Sequence, residues 1–132
     1  MSSYAIDNDP EIAAAATNQR CVVPGPRELF LDLDTDEDFV RSEHILRVLN
    51  NNGHGAECID VHASKSGAPH RHMTVTLYRD VTPIERIALQ ACMGSDPVRE
   101  VLSLIRIWSG SQYPPTVFFE PISTTPTPKD TP

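Results

Sequence analysis

Residues 28–34 run Glu-Leu-Phe-Leu-Asp-Leu-Asp, and this segment constrains the chain most. Leu29, Leu31 and Leu33 alternate with Phe30, Asp32 and Asp34. That is the period of a strand with one buried face. Two more segments follow the rule. In 56–64, Ile59, Val61 and Ala63 alternate with Cys58, Asp60, His62 and Ser64. In 70–77, Met73, Val75 and Leu77 alternate with His70, His72, Thr74 and Thr76. The turn at Lys65–Pro69 is short enough to make the last two an antiparallel hairpin.

The spacing predicts a helix from about Asp36 to Asn50, capped by Thr35 or Asp36. Its apolar residues are Phe39, Val40, Ile45, Leu46 and Leu49, and it stops at Asn50–Gly53. Thr82-Pro83-Ile84-Glu85 has the form of a capping box with proline at the first helical position. That helix breaks at Gly94 and restarts at Ser95-Asp96-Pro97. Val98, Val101, Leu102, Ile105 and Trp108 then keep helical spacing up to Gly110. A last strand is expected over 116–120. The order β-α-β-β-α-β predicts an α+β, ferredoxin-like or RRM-like sandwich. It has a four-stranded antiparallel sheet with helices on one face. Residues 1–26 are expected to form a flexible N-terminal segment, 27–121 the domain and 122–132 a flexible tail.

The net charge of −7 argues against coating nucleic acid by charge alone. Three scattered cysteines, with no CxxC, favour a reducing compartment over a disulfide scaffold. No signal peptide and no bilayer-spanning apolar stretch is evident, so a cytoplasmic protein without a membrane partner is expected.

Alternation places Asp32, Asp34, Asp60, His62, Ser64, His70 and His72 on the face away from the helices. A polar face is ordinary for such a sheet. One made of Asp, His and Ser is less so. Asp32 and Asp34 lie roughly 6–7 Å apart along the strand. Without a cation their carboxylates repel, and hard oxygen ligands suit Mg²⁺ or Mn²⁺. His72, Ser64, Ser66 and the turn amides can donate to a phosphate, with Lys65 and Arg71 adding positive charge. Asp96 reads as a helix cap.

This pattern resembles the archaeo-eukaryotic primase superfamily, the primase-polymerase group common in plasmids and phages. The resemblance spans about residues 28–120. Its first motif, two acids one residue apart on a strand, matches Asp32-Leu33-Asp34. Its hairpin motif matches Ser64-Lys-Ser66-Gly67-Ala-Pro-His70-Arg-His72. The resemblance implies a nucleotidyltransferase with catalytic metal on Asp32 and Asp34. Ser66 and His72 would contact the nucleotide's phosphates, with His70 as the alternative histidine and Ser64 and Lys65 beside them. The family's third acid has no evident counterpart late in the chain, so Asp60 or Glu120 would stand in for it. Implied partners are a nucleoside triphosphate, a single-stranded DNA or RNA template and a replication protein. The bacterial host cytoplasm is the implied location.

Four rivals stand beside this reading. One is a metal-dependent phosphodiesterase or nuclease on the same face. His62-Ala-Ser64 and His72-Met-Thr74 resemble the HxT/S elements of two-histidine phosphoesterases, although that family places its pair in separate halves of the chain. Phe30–Thr35 resembles the nucleophile strand of haloacid-dehalogenase phosphatases, whose parallel sheet does not suit this element order. The non-enzyme reading is a phage or plasmid accessory binding protein with a degenerate primase-like fold. An ordinary RNA-binding RRM would carry aromatic residues on its central strands.

Overall fold

The computed structural model describes residues 9–64 and 66–122. In chain order the elements are α1 (Pro10–Ala16), β1 (Gln19–Val22), β2 (Glu28–Leu33), α2 (Asp36–Asn51), β3 (Ala56–Ala63), β4 (Arg71–Leu77), α3 (Pro83–Cys92), α4 (Pro97–Trp108) and β5 (Phe118–Pro121).

Local chemistry sets the boundaries. Thr35 accepts from the Asp38 amide to start α2, and Asp36, Glu37 and Asp38 suit the positive end of its dipole. Thr82 and Glu85 close a reciprocal capping box at α3. Asp96 accepts from the Val98 amide to start α4. Gly94 joins the two helices at φ +95°, and a Cβ there would lie 2.9 Å from the Asp38 carbonyl oxygen.

The main sheet has three strands in the order β2-β4-β3, both pairs antiparallel. Leu29, Leu31, Leu33, Met73, Val75 and Leu77 form its apolar face and pack with Leu46 of α2 and with Met93. Phe39, Ile45, Leu49 and Leu89 complete the layer. Each fully buried side chain contributes about 1.5–3 kcal/mol.

The expected four-stranded sheet is not formed. β5 pairs instead with β1, in a separate antiparallel ribbon whose register includes Arg20 with Glu120. The reason lies at the outer edge of β2, where a fourth strand would bind. The Glu28 amide donates to the Gly25 carbonyl at 3.1 Å, and the Glu28 carbonyl accepts from Arg86 Nε at 2.7 Å. The Phe30 amide donates to Gln90 Oε1 at 2.7 Å, and the Phe30 carbonyl accepts from Arg99 Nη1 at 2.6 Å. The Asp32 amide donates to Ser95 Oγ at 3.0 Å, and its carbonyl accepts from the Asp96 amide at 2.8 Å. The edge is therefore satisfied without a strand.

The segment expected to precede the domain, 1–26, contributes α1 and β1 to the fold. Of the expected tail, only Ile122 lies among the described residues, and Lys65 lies outside them. The apolar spacing in α4 is present but points outward. Val98, Val101 and Trp108 are more than half exposed, while Glu100 and Ser103 are buried.

Candidate functional site

Strand register builds the site. Asp32 of β2 lies opposite His72 of β4, and His72 lies opposite His62 of β3. Paired residues share a side of the sheet, so the three form one row across its polar face. That face was expected to be open. The structure lays β5 against it instead.

Phe118 of β5 stacks on Phe30, with ring centroids 4.4 Å apart, and on His72, at 4.1 Å. Two residues on, Glu120 reaches both histidines. Its Oε2 is 2.7 Å from His72 Nδ1, and its Oε1 is 3.1 Å from His62 Nε2. The other nitrogen of each ring faces a second acid. His72 Nε2 is 3.9 Å from Asp32 Oδ1, and His62 Nδ1 is 3.4 Å from Asp60 Oδ2. Acids and imidazoles thus alternate as Asp32, His72, Glu120, His62, Asp60. A separate pair, Asp34 and His70, meets at 3.2 Å.

His72 is the buried member and His62 the exposed one. Burial pushes the Asp32 carboxyl above the usual carboxylate range, against the pull of Arg99 and His72; Asp34 and Asp96 push it the same way as burial.

A cleft of about 280 Å³ opens beside the row, lined by Asp32, His72, Arg99, Arg106, Ser103 and Phe118 among others. Arg99 is committed to the carbonyls of Phe30 and Val117 and to the Glu100 carboxylate. Arg106 makes one long contact, 3.5 Å to the Pro115 carbonyl. Burial works against its charged form, and so does the neighbouring Arg99. An anion in the cleft would relieve both effects.

The residues expected from sequence separate into groups. Asp32 and His72 sit together at the cleft. Asp34 and His70 pair with each other, while Asp60 pairs with His62. Ser64 and Ser66 belong to the hairpin turn, where Ser64 Oγ accepts from the Ser66 amide and the Ser64 carbonyl accepts from the Gly67 amide. Glu120, a candidate for the third acid, enters the cluster from β5. Sequence reading missed Arg99, Ser103 and Arg106. Their signal was a polar stripe at i, i+4 and i+7 on α4, opposite its apolar stripe.

No family model, curated protein or solved structure matches the chain.

Proposed function

We propose that this chain is a primase-like nucleotidyltransferase domain that binds a nucleoside triphosphate with a divalent cation. The site is the cleft between the polar face of the sheet and α4. One observation carries this reading: Asp32 and His72 share that cleft with Arg99 and Arg106. Carboxylates suit a cation, guanidinium groups suit phosphate, and triphosphate binding needs both.

Asp32 and Asp34 would hold Mg²⁺ or Mn²⁺. The donor chemistry fits, because burial and Asp34 already raise the Asp32 carboxyl and a cation would relieve that strain. Such a cation supplies charge neutralisation for the phosphates and the attacking hydroxyl. Arg106 would bind the triphosphate, with Arg99 fixing the wall behind it. His72, held between Glu120 and Asp32, would orient a phosphate oxygen. The 3′-hydroxyl of a strand would attack the α-phosphorus and pyrophosphate would leave. A single-stranded DNA or RNA template and a replication protein are the partners that would accompany this activity.

Calorimetric titration of a nucleoside triphosphate in Mn²⁺ tests the proposal. Wild type should bind only with the cation. Asp32→Ala/Asp34→Ala, shown to be folded by circular dichroism, should lose at least tenfold in affinity. Absence of binding by folded wild type would overturn the reading. It would favour a non-catalytic accessory module with a primase-like shape. One observation already leans towards that second reading: Glu120 occupies His62 and His72, so part of the polar face is engaged internally.

A further inference from the structure

We infer that His62, His72 and Glu120 form a binding site for a first-row transition-metal dication of the Zn²⁺ or Co²⁺ type. It is distinct from the hard-oxygen pair Asp32 and Asp34, and it does not depend on the nucleotide reading.

Convergence is the first argument. One ligand atom from each of the three residues lies within 4.8 Å of the others. The single oxygen Glu120 Oε2 is 3.3 Å from His62 Nε2 and 2.7 Å from His72 Nδ1. Ligands bound at about 2.0–2.1 Å in a tetrahedron stand about 3.3 Å apart. The two nitrogen-to-oxygen separations therefore lie near the spacing an ion requires, and the three ligand atoms already stand within 4.8 Å of one another.

The groups behind the ligands are the second argument. A metal-bound histidine commonly donates its other ring N–H to a carboxylate, which fixes the tautomer and aims the free nitrogen. Each histidine has a carboxylate on its outer side, at ion-pair distance and not hydrogen-bonded. Asp60 faces His62 Nδ1 at 3.4 Å, and Asp32 faces His72 Nε2 at 3.9 Å. Without a metal the inner nitrogens donate to Glu120; a metal ion would displace those two protons, and the outer nitrogens would then carry the N–H groups, facing Asp60 and Asp32.

Rigidity and access complete the case. His72 is clamped by its stack on Phe118, and Glu120 is fixed by the β1–β5 pairing. His62 is 41% exposed at its side chain, which leaves an entry path and room for a fourth ligand. Two imidazoles and one carboxylate favour borderline metals over Mg²⁺.

The test uses metal alone, with no nucleotide present. The metal-free full chain, with its thiols alkylated to silence Cys21, Cys58 and Cys92, is titrated with Co²⁺ and then with Zn²⁺. Visible d–d absorption reports the first ion and calorimetry the second. One ion should bind per chain, with Zn²⁺ displacing Co²⁺ and equimolar Mg²⁺ displacing neither. His62→Ala alters an exposed strand position and should leave the fold intact. Glu120→Gln keeps the side chain's shape but removes its charge. Each should weaken Zn²⁺ binding at least tenfold. The site is disproved if wild type and His62→Ala, both folded, bind Zn²⁺ equally, or if Mg²⁺ competes on equal terms. Neither result decides whether Arg106 and the Asp32–Asp34 pair bind a triphosphate, although an ion on His72 would take that residue away from the phosphate.

Discussion

β2 and β3 flank the same central strand, but their outer edges meet opposite surroundings. On β2, the outward amides and carbonyls of Glu28, Phe30 and Asp32 are all bonded, mainly to Arg86, Gln90, Ser95 and Arg99. On β3, every residue from Glu57 to Ala63 is exposed, and even Ile59 and Val61, on the apolar side, are 49% and 39% exposed. Closing an edge with side chains requires a helix that turns polar groups inward. α3 does so with Arg86 and Gln90 and α4 with Arg99; Glu100 and Ser103 of α4 are also turned inward, and its valines and Trp108 are left facing out. The same inward stripe lines the cleft. The proposed cleft site is thus a by-product of how β2 is capped, whereas the open half of the histidine cluster lies towards β3.

The strongest way to break this comparison is Arg99→Ala. The change removes the donor to the Phe30 and Val117 carbonyls and the cation beside Glu100, which is only 2% exposed. A buried charge left without its partner costs about 3–5 kcal/mol. Chemical denaturation should show a loss of that size. A loss below about 1 kcal/mol would mean that the edge of β2 is held by something other than these side chains.

How far the sequence revealed this arrangement depends on the range of each interaction. Strand alternation, the Thr82–Glu85 capping box and the Thr35 cap involve neighbours in sequence, and they form where expected. Register then follows from the hairpin turn, which is why Asp32, His62 and His72 were legible as one face. The pairing of β1 with β5 links residues about 100 positions apart, and no local pattern announces it. Glu120 joins the site only through that pairing. In α4 the stripes were legible but their direction was not. Amphipathicity shows that a helix has two faces, and the partner decides which one is buried. Here the partner was an unsatisfied strand edge.

A smaller effect sharpens the same contrast by pH. Burial raises the Glu100 carboxyl, against the pull of Arg99 and the bonds from Ser95, Gln90 and Arg99. In the unfolded chain a glutamate ionises near ~4.3. Below that pH both states hold the proton, so Glu100 adds no pH dependence. As pH rises, the unfolded chain releases the proton first. Glu100 therefore takes stability away until the pH passes its raised folded value. Glu100→Gln lacks this term but can still pair with Gln90. In denaturation series from pH 3 to 8, wild type should lose ground steadily to Glu100→Gln. A gap that stays flat or reverses would show that the Arg99 ion pair outweighs burial.

The least effect is expected at the bare edge. Val61 lies opposite Met73 and Ile59 opposite Val75, so both sit on the apolar face of the sheet, where a β-branched residue is normally worth burying. The helices that cover β2 and β4 leave these two only half covered, and less transfer energy is at stake than at a fully buried position. Threonine keeps the branched shape and the strand propensity while replacing a methyl of Val61, or the ethyl of Ile59, with a hydroxyl that water can solvate. Val61→Thr and Ile59→Thr should each change stability by no more than about 0.5 kcal/mol. Val75→Thr, one strand inwards and fully buried, should cost about 1–3 kcal/mol because its hydroxyl would be desolvated. If Val61→Thr cost as much as Val75→Thr, β3 would have to be covered in solution by a surface that the isolated chain lacks. The difference between the two edges would then belong to the isolated chain and not to its working form.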